Sequence, residues 1–169
     1  MKWIALAVLA GLIVSGANCA AQPNESIVNS CLRAETIVPS VTVVSLSADE
    51  ITREDKYVDG FDALYKFEYR GSDVGYAENK KDQALIYLGK LYRLSMARPL
   101  GDSHGIKPGP FNPALAQWSI ASGNNKEFFC VSFNFDGLGR SGNFQNVRGG
   151  YLLDAATKSL YFVVRDIRK

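Results

Sequence analysis

From Glu127 to Ile167 the chain reads EFFCVSFNF, DGLGRSG, NFQNVRGGYLLD, AATKS and LYFVVRDI, three strand-like runs joined by two turn-rich connections. In the first run Phe129, Val131, Phe133 and Phe135 recur at every second position, and Cys130, Ser132 and Asn134 fill the positions between. A side-chain period of two is that of a half-buried strand. In the third run Leu160, Phe162 and Val164 alternate with Tyr161, Val163 and Arg165. The polar segment Asp154 to Ser159 is short enough to reverse the chain between antiparallel neighbours. A three-stranded meander is therefore expected. The fold class it implies is mainly β: an antiparallel meander, sandwich or barrel-like domain with one or two short helices, with α+β as the alternative.

Residues 1–21 read as a secretory signal outside the fold. Lys2 supplies a short positive region, Ile4 to Val14 is apolar and uncharged, and small residues follow. Cys19-Ala20-Ala21 offers small residues at both specificity positions, so cleavage is expected after Ala21. The competing reading is a lipoprotein signal that leaves Cys19 lipidated and membrane-held, although Asn18 stands where Gly, Ala or Ser is usual. The apolar run is shorter than the roughly 20 residues that span a bilayer. Residues 22–169 then fit one exported β-rich domain, periplasmic or secreted. The formal net charge of the chain is +2. No basic cluster is interleaved with aromatic residues in the manner of a strand-binding groove, which sets nucleic acid aside as a partner.

Two cysteines lie beyond the signal, Cys31 and Cys130. An even pair in an exported protein reads as a disulfide. Closing a loop of about a hundred residues stabilises a fold by up to about 4.7 kcal/mol on chain-entropy grounds. The bond would tie the amino-terminal segment to the meander. Because Cys130 lies on the face opposite the Phe stripe, Cys31 is expected across the back of that strand or along its edge. A free catalytic thiol is the alternative, with His104, the single histidine, far away in sequence.

Between these landmarks, Ala21 to Ser26 reads as an unpaired lead-in and Val41 to Leu46, after Pro39, as a strand. Ser47-Ala48-Asp49-Glu50 matches a capping box and predicts a short helix that ends by Tyr57. Asp59-Gly60 is a turn. From Leu64 to Arg70 the alternation is strict, with Tyr65, Phe67 and Tyr69 on one face and Lys66, Glu68 and Arg70 on the other, as in a solvent-facing strand. Ala84 to Met96 admits a helix with Gly89 in its interior, or a hairpin turning at Gly89-Lys90 that pairs Leu88 with Leu91; strands are preferred. Pro99 to Pro113 holds four prolines and three glycines in fifteen residues, which predicts a long, partly stiff surface loop. Ala116 to Ala121, with Trp118 and Ile120 on one face, leads into the meander through a turn at Ser122 to Asn125.

No constellation identifies a reaction, and the chain is read as non-enzymatic. Asp102, Ser103 and His104 are the side-chain types of a hydrolase triad, but adjacent residues cannot align hydroxyl, imidazole and carboxylate, so they read as an exposed turn. One histidine and a paired cysteine set leave only carboxylates for a metal, none at calcium-loop spacing, and no cofactor is expected. Gly137-Leu138-Gly139-Arg140-Ser141-Gly142 spells a dinucleotide fingerprint, yet a strand pattern follows it where a helix amino terminus is required. The acids Asp49, Glu50, Glu54, Asp55, Asp59 and Asp62 read as a solvated face, with none marked as a buried glycosidase acid.

Arg140-Ser141-Gly142-Asn143-Phe144 resembles the Ser-Gly-x-Tyr or Ser-Gly-x-x-Tyr loop of bacterial periplasmic lysozyme inhibitors, with Phe144 or Gln145 standing where the motif has Tyr. Those proteins are small, β-rich and exported, and insert this loop into the cleft of a cell-wall hydrolase. The resemblance implies a periplasmic inhibitor or immunity protein that blocks a cell-wall-degrading enzyme or a secreted toxin. Arg140, Ser141, Gly142 and Phe144 would form the contact, with Asp102, Ser103 and His104 as a second one. Arg140 suits charge-assisted bonds to catalytic carboxylates. The alternative is a non-enzymatic envelope component that binds a polymer or a membrane complex.

Overall fold

The computed structural model describes residues 22–101, 103, 105–134 and 147–168. The residues read as a signal, Cys19 included, and residues 135–146 lie outside that range. Among these residues one α-helix, α1 (Glu25–Arg33), precedes eleven strands: β1 (Thr42–Leu46), β2 (Thr52–Val58), β3 (Phe61–Tyr69), β4 (Ser72–Glu78), β5 (Gln83–Tyr87), β6 (Lys90–Arg93), β7 (Arg98–Pro99), β8 (Gln117–Gly123), β9 (Lys126–Asn134), β10 (Val147–Asp154) and β11 (Leu160–Asp166). They form two open sheets. One is six-stranded in the order β1-β8-β9-β10-β11-β7, antiparallel except for the pairing of β7 with β11. The other is a simple antiparallel meander, β2 to β6. The molecule is thus mainly β, a sandwich with a helix laid on its back.

The expected meander is present as β9, β10 and β11, reversed at Asp154, whose buried carboxylate accepts the N–H groups of Ala156 and Thr157 at 2.8 and 2.9 Å. Its Phe129, Val131 and Phe133 stripe meets Phe67, Tyr76, Leu85 and Tyr87 of the facing sheet. The opposite face of β9 is not wet. Phe128 and Cys130 are buried there with Leu152, Tyr161 and Val163 beneath Ile27, Val28, Cys31 and Leu32 of α1. The half-buried strand of the sequence reading is therefore buried on both sides through residues 128–133. Cys31 lies across the back of β9, as expected, and with Cys130 makes a disulfide-capable pair, Cα atoms 5.5 Å apart.

The helix is not where the capping-box pattern puts it. Residues 52–57 of the predicted helix belong instead to β2, an edge strand whose Arg53, Glu54, Asp55 and Lys56 are exposed. A helix there would have had no continuous apolar stripe to bury, whereas a charged edge strand gains a backbone ladder with β3 and keeps its side chains in water. The true helix follows Asn24, whose side chain accepts the Ile27 N–H at 2.8 Å. It ends at Ala34 in the left-handed region, where the Ala34 and Glu35 N–H groups bond Cys31 and Ser30 carbonyls.

Four hairpins turn through two residues that both have positive φ: Asp59-Gly60, Arg70-Gly71, Leu88-Gly89 and Asn124-Asn125. Such primed turns match the right-handed twist of the strands they join. Residues 84–96 are a hairpin followed by a short 3-10 turn, Leu94–Met96, but the hairpin turns one residue earlier than expected, so that Tyr87 faces Lys90 and Ile86 faces Leu91. That register keeps Leu85 and Tyr87 in the inter-sheet core and sends Ile86 and Leu91 to the outer face.

A break in the β3–β4 register between Ala63 and Tyr65 reverses the faces of β3. Phe61 and Ala63 thus pack outward with Ala77, Ala84 and Ile86, while Phe67, Tyr65 and Tyr69 pack inward, as their alternation predicts. Gly75 faces this bulge at φ +145°, and a Cβ there would lie 1.9 Å from the Tyr65 carbonyl oxygen. Gly75→Ala should therefore cost about 2–4 kcal/mol in urea denaturation; a loss below about 1 kcal/mol would show that the bulge relaxes freely. Replacing Cys31 and Cys130 together by Ser should lower the melting temperature markedly, with up to about 4.7 kcal/mol at stake. An unchanged melt would mean that the pair contributes no cross-link.

Candidate functional site

The strand register defines one end of the six-stranded sheet at which the candidate contact segments converge. β9 finishes there at Asn134, paired with Arg148, and Arg148 in turn faces Arg165 of β11. Asn134 and Val147, the described residues on either side of 135–146, both lie at this end. β7 runs parallel to β11, and Leu100 continues the ladder by donating its N–H to the Phe162 carbonyl at 2.8 Å. The chain then passes Arg165, whose Nη2 lies 3.7 Å from the Cβ position of Gly101. Segment 101–116 therefore crosses the same end before β8 begins.

The proline-rich loop is not a surface loop throughout. Phe111 enters the sandwich, stacked on Phe133 at 4.7 Å with ring planes 2° apart, and meets Tyr76 edge-on at 5.0 Å. Gly109 donates its N–H to the Tyr151 hydroxyl at 2.8 Å, and that hydroxyl donates to the Gly109 carbonyl at 2.7 Å. Trp118 Nε1 donates to the Pro113 carbonyl at 3.2 Å. Prolines keep this segment out of helix and ladder, and its backbone groups find side-chain partners instead. The anchoring aromatic was visible in the sequence as the lone Phe of a Pro-Gly run, but the core it fills exists only once both sheets are assembled.

Of the candidate contact residues, Arg140, Ser141, Gly142, Phe144, Asp102 and His104 lie outside the described residues. Ser103, read as part of an exposed turn, is buried; its carbonyl accepts the Ile106 N–H at 2.9 Å, and its hydroxyl has no hydrogen-bond partner among the described residues. Arg148, which the sequence reading passed over, stands next to Val147, where the description resumes after 135–146, with its Nε buried and unpartnered among the described residues. Its signal was an arginine interrupting the otherwise apolar run that continues into Tyr151 and Leu152.

A second polar cluster ties the two sheets together elsewhere. Arg70 makes a two-pronged contact with Glu127, both bonds 3.2 Å, and Tyr87 donates to the same carboxylate at 3.4 Å. Burial, reinforced by Glu127, pushes the Tyr87 phenol up to about 12. Burial raises Tyr76 and Tyr151 further, with the Gly109 N–H working the other way at Tyr151. Among the described residues no group of three or more His, Cys, Asp or Glu side chains converges as for a metal, and no helix is long and apolar enough to cross a membrane.

With this geometry the class of the molecule is a helix-backed open β-sandwich with two long connections at one end. Compared with protein-family models, curated proteins and solved structures, the chain matches none.

Phe111→Ala should cost about 3–5 kcal/mol in chemical denaturation, the range for truncating a core aromatic; a loss below about 1 kcal/mol would mean that the loop is not anchored through this ring. Alkaline titration gives an independent check. The folded state holds the Tyr76, Tyr87 and Tyr151 protons more tightly than the unfolded chain, so stability is full below about pH 10 and falls as pH rises beyond it. Phenolate absorbance from these three should appear together with unfolding; three phenols ionising near pH 10 in a folded protein would contradict their burial.

Proposed function

We propose that this chain is a periplasmic inhibitor or immunity protein that binds a cell-wall-degrading enzyme or secreted toxin and blocks it without catalysis of its own. The observation that carries this reading is the shared end of the sheet. Asn134 and Val147, which flank the stretch with the Ser141-Gly142 pair, and the segment at Gly101 and Ser103 lie at one end of a well-packed sandwich. A binding loop whose bases are fixed by Asn134–Arg148 pairing and by the Phe111 and Tyr151 anchors loses less conformational entropy on entering a cleft. Arg140 supplies the charge for an active site whose catalytic groups are carboxylates.

The test is a titration of lysozyme and amidase activity with the purified protein. Stoichiometric inhibition is expected, weakened at least tenfold by Arg140→Ala with Ser141→Ala while the melting temperature stays within about 2 °C. Sedimentation with cell walls or membranes, without inhibition of any wall hydrolase, would favour an envelope-binding component instead. Collapse of the fold in the double variant would make those residues structural and end their role as a contact.

A further inference from the structure

The buried polar groups of the two layers are satisfied to different degrees. Between the sheets, the Tyr151 hydroxyl, Trp118 Nε1 and the Tyr87 hydroxyl have partners in Gly109, Pro113 and Glu127. Between α1 and the six-stranded sheet, the hydroxyls of Ser30, Ser119 and Tyr161 are buried and have no hydrogen-bond partner among the described residues. Ser119, Cys130, Leu152 and Tyr161 form one row across β8, β9, β10 and β11, on the face that α1 covers. A hydroxyl that leaves water without gaining a partner opposes the docking that buries it.

The helix has few noncovalent contacts to set against this cost. It is nine residues long and marginal on its own, and its large apolar contacts are Ile27, Val28 and Leu32. Arg165 binds Glu25, but the Glu25 side chain is 73% exposed, so solvent screens the pair. Arg33 reaches the Ile167 carbonyl. One constraint is of another kind. Cys31, in the last turn of α1, and Cys130 are both buried, with Cα atoms 5.5 Å apart. A bond across this pair holds the last turn on β9 regardless of the balance of the noncovalent terms.

We propose that α1 is a redox-latched cover. With Cys31 and Cys130 joined it stays on the sheet; with the pair reduced it lifts away while the sandwich stays folded, and Phe128, Leu152, Tyr161 and Val163 meet solvent. The sandwich survives because Phe129, Val131, Tyr151 and Leu153 face the other way and are held by the five-stranded sheet. The reductant is a dithiol. Its first thiolate attacks one sulfur of the pair, forming a mixed disulfide and releasing one cysteine thiolate; its second thiolate then displaces the other. The protein gains two electrons and two protons, and the reductant leaves as a disulfide. Because both sulfurs are buried, fraying of the last turn of α1 is the entry step. None of the residues proposed to touch a wall hydrolase takes part in the latch.

The test is amide hydrogen exchange on the purified protein before and after equilibration with excess dithiothreitol, the state of the cysteines being read by mass spectrometry. Reduction should speed exchange of the Val28 to Leu32 amides at least about a hundredfold and leave those of Val74 to Ala77, in the central strand β4, within about threefold. An apolar dye should bind the reduced form alone. Equal acceleration in α1 and β4 would overturn the proposal, because the whole fold would then open at once. So would unchanged exchange in α1 after full reduction, which would mean that the helix needs no latch. Free thiols in the untreated protein, or a pair that stays oxidised in excess dithiothreitol, would overturn it as well. Cys31→Ser with Cys130→Ser, without reductant, should give the reduced pattern; if that variant fails to fold, the dithiothreitol experiment on the unmodified protein decides alone.

Discussion

Phe128 and Phe129 are neighbours in sequence and point to opposite faces of β9, 1% and 0% exposed. A strand with two buried faces needs a layer on each side, and the rest of the chain supplies them. The β2 to β6 meander covers the face of Phe129, and α1 covers the face of Phe128 and Cys130. The helix is nine residues long and would be marginal alone, so its stability comes from this packing, from Asn24 at its head and from the Cys31–Cys130 pair. Arg165 adds a bidentate contact to Glu25 from the far edge of the sheet, and Arg33 reaches the Ile167 carbonyl.

The two layers are built by different physics. The five-stranded sheet is local throughout, each strand beside its sequence neighbour and three of its four reversals made by primed two-residue turns. The six-stranded sheet is assembled from distant pieces: β1 joins β8 and β7 joins β11 across more than sixty residues of chain in each case. Long-range pairing of this kind carries a loop-closure cost that only a dense core can offset. The aromatic cluster of Phe111, Trp118, Phe133, Tyr76 and Tyr151 supplies that core at the end where the long connections cross.

In the proposed inhibitor, this division separates stability from recognition. The meander, the helix and the Phe111 anchor hold the scaffold, while the proposed contact residues lie outside these elements.

Much of the architecture was legible because strand periodicity is a local property of the chain. The alternations at Phe129, Val131 and Phe133, at Tyr65, Phe67 and Tyr69, and at Trp118 and Ile120 named the inter-sheet core directly, and the cysteine on the opposite face located Cys31 behind β9. The misplaced helix shows the limit of local signals. A capping box describes how a helix begins, but whether residues 47–57 form one depends on an apolar face to bury and on an available strand, β3, to pair with. The face reversal at Ala63 to Tyr65, the one-residue shift of the Leu88-Gly89 turn and the burial of Phe111 were likewise decided by tertiary structure. In each case several local arrangements satisfy the backbone equally well, and only the shape of the assembled core selects among them. The sequence by itself determined that this chain is built mainly of strands and which residues of β8, β9 and the second half of β3 line the inter-sheet core. Which strands pair across the six-stranded sheet, and which face of β9 the helix covers, followed from contacts between residues far apart in the chain.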